Sequence, residues 1–133
     1  MNLKEHLTRQ MVWSKSTFGP GSRTDGVLDH IKKEIEEVRA SNGSAAEWVD
    51  LVILSLDGLT RQLWAASDYG KPAQEIAESA TNMIVGKQSR NELRNWPDWR
   101  TQPLGKAIEH TKYEGGGCPH CGTRHPPDGM CLV

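Results

Sequence analysis

Apolar residues recur along this chain at helical spacing, and no stretch alternates as a half-buried strand would. Leu3, Leu7 and Met11 form a first stripe, which predicts a helix ending before "TFGPGSRTDG", a loop rich in Gly, Pro, Ser and Thr. Gln10 and Ser14 continue that stripe with neutral polar groups. A second helix is predicted from Thr24 or Asp25. Its apolar positions Leu28, Ile31, Ile35 and Val38 follow a seven-residue repeat suited to a helix bundle. "ASNGS" breaks it, and a third helix follows from Ser44 to about Trp64. "SDYGKP" ends the third, and Pro72 suits the first turn of a fourth. The fourth carries Ile76, Ala80, Met83 and Ile84 and stops near "NWPDW", at Pro97. A short helix is expected around Lys106–Lys112. The pattern predicts an all-α bundle without internal repeats.

Length and composition sharpen this. At 133 residues the chain suits one domain. Its hydrophobic content, 36%, is low for a stand-alone globule of that size, so part of the core is expected to be completed by a partner subunit. A formal net charge of −1 argues against a broad nucleic-acid footprint but leaves room for a small anion held by a local basic cluster. No stretch approaches the roughly 18–20 apolar residues of a membrane span. "MNLKEHLTRQ" has no apolar signal region, and the three cysteines all lie late in the chain. These features point to a reducing cytoplasm.

Two acidic pairs carry the candidate chemistry, Glu34-x-x-Glu37 and Glu47-x-x-Asp50. At about 100° per residue each pair sits one turn apart on one flank of its helix. Glu36 falls on the other side, toward solvent, and Asp57 lies two turns beyond Asp50 on nearly the same line. An antiparallel packing across "ASNGS" makes the pairs face each other. Like charges so placed repel, and burial makes that worse. Mg²⁺ (or Mn²⁺) resolves the conflict, because it takes oxygen ligands and shares its shell with substrate phosphates. Against this stands a plainer reading: acidic runs are usually solvated faces, and Ser44-x-x-Glu47 is also a capping box.

The fourth helix turns from apolar to cationic along one stripe, through Lys87, Asn91 and Arg94. Phosphate oxygens suit an ammonium and a guanidinium fork. The alternative is a helix that leaves the core after Ile84. On the first helix, Gln10 and Ser14 offer hydrogen bonds to a base edge, and Trp13, Phe18 and Trp48 are candidates to stack on it, with ordinary core packing as the alternative. At the C-terminus, Cys118, Cys121, His125 and Cys131 supply a tetrahedral donor set for structural Zn²⁺ resembling a zinc knuckle. His120 is a substitute for His125, and free thiols without metal are the alternative. "EGGGCPH" divides residues 1–112 from this tail at 113–133.

The blocks "HLTRQMVWSKSTFGPG", "GVLDHIKKEIEEV", "EWVDLVILSLDG" and "KQSRNELRNWPDWR" occur in that order. Together they resemble the MazG-like all-α nucleotide pyrophosphohydrolases. Within these they are similar to the phage-associated dATP/dGTP pyrophosphohydrolase branch, called MazZ in phages that make 2-aminoadenine DNA. The resemblance implies a helix bundle assembled as a homodimer or homotetramer, with Mg²⁺ on Glu34, Glu37, Glu47 and Asp50, and phosphate contacts from Lys87, Arg94 and Asn91. It implies cleavage of a purine dNTP, dGTP ahead of dATP, to dNMP and pyrophosphate. That reaction would shape a phage dNTP pool or supply dGMP for 2-aminoadenine nucleotide synthesis. The purine is expected near Gln10, Ser14 and Trp13, and Glu37 is the expected general base. Two competing functions follow from other features: a non-catalytic helical adaptor whose zinc knuckle binds nucleic acid, and a pyrophosphatase for another nucleotide such as dUTP.

Overall fold

A computed structural model describes residues 1–111. Among them the fold is helical: α1 (Leu3–Phe18), α2 (Thr24–Ala40), α3 (Ala45–Ala66) and α4 (Ala73–Leu93), followed by a 3-10 turn at Trp99–Thr101. The zinc-knuckle candidates Cys118, Cys121, His125 and Cys131, with His120, lie outside the described residues.

The helix ends follow from local chemistry. Asn2 opens α1 by accepting the Glu5 N–H on its side chain at 2.9 Å. Gly19 closes it at φ 92°, a conformation that favours glycine, and donates its N–H to Lys15 O. α1 therefore runs two residues into the expected loop. Asn42 and Gly43, both at positive φ, end α2. The Gly43 N–H reaches Val38 O at 2.8 Å, satisfying carbonyls that would otherwise be orphaned in the turn to α3. Pro72 stands immediately before α4, its carbonyl accepting from Glu75 and Ile76. The expected helix at Lys106–Lys112 does not form over its described part. Lys106 belongs to a turn, and residues 107–111 have no regular structure. The Thr111 N–H instead bonds Asn95 O at 2.7 Å, which requires an extended segment.

The chain divides within α4 into two units, Met1–Lys87 and Gln88 onward. In the first, Leu7 and Met11 of α1 meet Ala73, Ile76, Ala77 and Ala80 of α4, with Leu56, Leu59, Leu63 and Trp64 of α3 packed against them. Ala73, Ala77 and Ala80 give α4 a small-residue face within this cluster. Complete burial of Leu7 is worth about 1.5–3 kcal/mol. The expected α4 stripe holds only through Ala80, since Met83 and Ile84 are exposed.

α2 departs further from its apolar pattern. Leu28 and Ile35 are 55% and 39% exposed, whereas Val27 and Glu34 are the residues it buries. The helix turns its carboxylate flank toward α3, leaving Leu28 and Ile35 exposed while Ile31 and Val38 are half-buried. A seven-residue repeat marks a surface that seeks cover, but it does not identify the cover. In the second unit the Trp96 indole N–H bonds Asn91 O at 2.6 Å, and Asp98 starts the 3-10 turn by accepting the Arg100 N–H at 3.0 Å. The Arg100 guanidinium beside Asp98 holds that carboxyl below its usual value. No described helix is long and apolar enough to cross a membrane.

Candidate functional site

The turn at Asn42–Gly43 folds α3 back along α2, and the acidic flanks of the two helices meet. Glu34 and Glu37 from α2 and Glu47 from α3 each offer a carboxylate oxygen within 4.8 Å of the other two. Glu34 is 5% exposed, Glu47 half-buried and Glu37 exposed. Ser44 makes no side-chain cap to α3, so the capping-box alternative does not engage Glu47. Asp50 lies outside this tight trio but lines the same cavity as Glu34 and adds to the charge that Glu34 feels.

A proton shared with Glu47, burial, and the neighbouring Glu37 and Asp50 push the Glu34 carboxyl up from 4.5 to about 7. Its Oε1 is buried without any hydrogen-bond partner. A buried carboxylate oxygen with no donor is costly unless something supplies positive charge. The donor set is all oxygen, clustered and anionic, so it fits a hard divalent cation, with Glu34, Glu37 and Glu47 able to hold it and Asp50 beside them.

The protonation behaviour can be checked without substrate. Between about pH 4.5 and 7 the folded chain holds a proton on Glu34 that the unfolded chain has released. Stability in the absence of divalent cations is then greatest on the acid side and falls as pH rises through that window. Mg²⁺ is expected to raise the melting temperature most at the alkaline end, where the carboxylates are bare. Melting curves flat in pH with and without Mg²⁺ would contradict the shared-proton trio.

The cavity beside the acids has a volume of about 540 Å³. Trp13 and Phe18 wall one part of it and form an edge-to-face pair, with centroids 5.4 Å apart and planes at 88°. Two further residues there, Arg23 and His30, escaped the sequence reading. Trp48 is exposed and does not line it.

The structure gives Gln10 and Ser14 other partners than a base edge. The Gln10 amide donates to Ile53 O at 2.8 Å, and its oxygen faces His6 Nε2 at 3.0 Å. The Ser14 hydroxyl donates to Asp57 Oδ1 at 2.6 Å. Neither residue lines the large cavity. Both tie α1 to α3.

Asp57 has a second partner that the sequence reading missed. Arg61, 6% exposed, donates from Nε to Asp57 Oδ2 at 2.9 Å. Its Nη1 reaches Gly19 O at 2.8 Å and Gly21 O at 3.1 Å, and its Nη2 reaches Ser14 O at 3.1 Å and Ser14 Oγ at 2.8 Å. All five guanidinium N–H donors thus have acceptors. The Tyr69 hydroxyl bonds the Gly21 N–H on the same loop. Asp57, although it borders the cavity, is occupied as the counter-ion of a buried arginine. A signal was present in the sequence: an Asp and an Arg four residues apart inside an apolar helix imply a buried pair.

Lys87 closes the first unit, and Asn91 and Arg94 lie in the second, where the Arg94 Nη1 bonds Asn91 Oδ1 at 3.3 Å. All three are half-buried.

No curated protein and no solved structure matches the chain. The family model described as dATP/dGTP pyrophosphohydrolase matches residues 6–114, a span that takes in the acidic trio, the cavity and the α4 cations. With that match the chain belongs to the dATP/dGTP pyrophosphohydrolase family, and it is a nucleoside triphosphate pyrophosphohydrolase.

Proposed function

We propose that the chain hydrolyses dGTP and dATP with Mg²⁺ or Mn²⁺ bound to Glu34, Glu37 and Glu47, with Asp50 completing the acidic site. The observation that carries this reading is the partnerless Glu34 oxygen inside a trio of converging carboxylates. When bound, a divalent cation supplies charge neutralisation for the phosphates and lowers the pKa of a coordinated water. The chain's own groups do the rest. In the hydrolytic step Glu37, the exposed member of the trio, acts as base rather than ligand and accepts a proton from the attacking water at its carboxylate. The water oxygen bonds the α-phosphorus, the bond to the bridging oxygen breaks, and pyrophosphate leaves with that electron pair. Phosphate contacts by Lys87, Asn91 and Arg94 rest on their spacing in the sequence alone, since Arg94 stands just beyond the end of α4. The cavity falls within the roughly 300–1,000 Å³ usual for a small-molecule site, and its aromatic wall suits a base.

A second copy is the proposed cover for Leu28, Ile35, Val49 and Val52, apolar residues that α2 and α3 leave exposed in a chain of low hydrophobic content. The test of the whole reading is product analysis with a full dNTP panel and Mg²⁺, with particle mass measured by light scattering on the same sample. The purine dNTPs should yield dNMP and pyrophosphate in equal amounts from a particle larger than one chain. Orthophosphate release, or turnover confined to dUTP, would overturn the substrate assignment, and a monomer would overturn the second copy.

A further inference from the structure

If the α-phosphate of a nucleotide is at the acidic trio, its base needs a reader elsewhere in the cavity, and Gln10 is bonded to Ile53. The cavity wall along α2 runs from Glu34 through His30 and Gly26 to Arg23. Eleven residues at helical rise separate its ends by about 16 Å. Phe18 stands five residues before Arg23 in the chain and pairs edge-to-face with Trp13, and all three residues line the cavity. The cavity thus joins carboxylates with an aromatic pair and a cation, the chemistries that a nucleotide's phosphates and base call for.

Arg23 has three unusual features. Its backbone is left-handed, at φ 46° and ψ 32°, a conformation costly for a residue with a side chain and concentrated at functional sites. Its guanidinium makes no hydrogen bond or ion pair with any described residue, although acids line the same cavity. One of these, Asp57, has both oxygens taken by Ser14 and Arg61. Finally, the guanidinium lies over Gly26, where a Cβ would stand 3.4 Å from Nη2. The loop leading to Arg23 is itself held: Arg61 grips the Gly19 and Gly21 carbonyls and Tyr69 the Gly21 N–H. The backbone that carries Arg23 is thus held, and its guanidinium is left available to pair with a ligand.

We infer that Arg23 reads the purine, its guanidinium fork donating to O6 and N7 of guanine while Trp13 and Phe18 contact the ring. Guanine presents two acceptors on that edge. Adenine presents one acceptor and an amino donor, which opposes a second N–H. Arg23 therefore sets a preference for dGTP over dATP. This rests on the reading of the acidic trio as the phosphate end.

The test measures pyrophosphate release from dGTP and from dATP, and binding of dGMP and dAMP by calorimetry, in wild type, Arg23→Ala and Arg23→Gln. Arg23 is exposed, so both variants are expected to fold, which circular dichroism checks. Arg23→Ala should lower kcat/KM for dGTP about 10- to 100-fold and leave dATP within about threefold. Arg23→Gln should move the ratio further toward dATP, because an amide pairs with adenine N6 and N7. Equal losses on both purines would show a phosphate contact and overturn the inference, as would unchanged selectivity. The binding arm separates the two failures. An inactive wild type that binds dGMP selectively through Arg23 would sink the hydrolase reading alone. An active wild type whose selectivity ignores Arg23 would sink this inference alone.

Discussion

Glu34→Gln is expected to lower kcat/KM for the purine dNTPs by about 10²- to 10³-fold while leaving the metal-free protein as stable as wild type, or more so. The two effects have one cause. Glu34 is the buried member of the trio, with an oxygen that no protein group satisfies. Its proximity to Glu47, Glu37 and Asp50 is tolerated without metal only by retaining a proton. An amide of nearly the same shape removes that charge and supplies an N–H donor to Glu47, so the repulsion disappears. The same change deprives a cation of its most enclosed ligand. Kinetics and melting at about pH 8 in EDTA would measure both. A purely structural carboxylate predicts the reverse, with lost stability and little change in rate. Activity within about threefold of wild type would remove Glu34 from the site.

The acids were legible because helical spacing alone sets which residues share a flank, and the break at "ASNGS" makes antiparallel packing of α2 and α3 the economical arrangement. Glu34, Glu37 and Glu47 could be placed together from their numbers. What each flank faces was less legible. Leu28 and Ile35 belong to the apolar stripe, yet the residues α2 buries are Val27 and Glu34, because a stripe records which positions are apolar and not which of them the chain's own helices cover. Gln10 and Ser14 were rightly read as stripe positions on α1. Their partners, Ile53 O and Asp57, are 43 residues away, and no local rule supplies that register. Arg23 was hidden for another reason. Its sequence neighbours read as a polar loop, and its left-handed backbone is imposed by the path from Gly21 into α2.

Arg61→Met is expected to destabilise the fold by about 3–5 kcal/mol, a large part of the roughly 5–15 kcal/mol available to a domain of this size. The substitution keeps the volume of the side-chain stem, so packing changes little. What changes is that Asp57, 8% exposed, keeps only the Ser14 hydroxyl as a donor, and the Gly19, Gly21 and Ser14 carbonyls lose theirs. An unpaired carboxylate near α1 and α3 is the dominant penalty, since removing one partner of a buried pair leaves the other's desolvation uncompensated. That argument has a sharp consequence for the double variant. Asp57→Leu with Arg61→Met replaces the whole pair by apolar groups and should recover most of the lost stability, giving a large coupling energy in a double-mutant cycle. Activity should not recover with it. The Gly19–Gly21 loop would still lack the guanidinium that fixes it, and Phe18 and Arg23, which flank that loop on the cavity wall, would lose their orientation. Urea unfolding and steady-state kinetics on the three variants separate the roles. A double variant restored in both stability and rate would show that Arg61 serves only the core, and a single variant losing less than about 1 kcal/mol would show that water replaces its five hydrogen bonds.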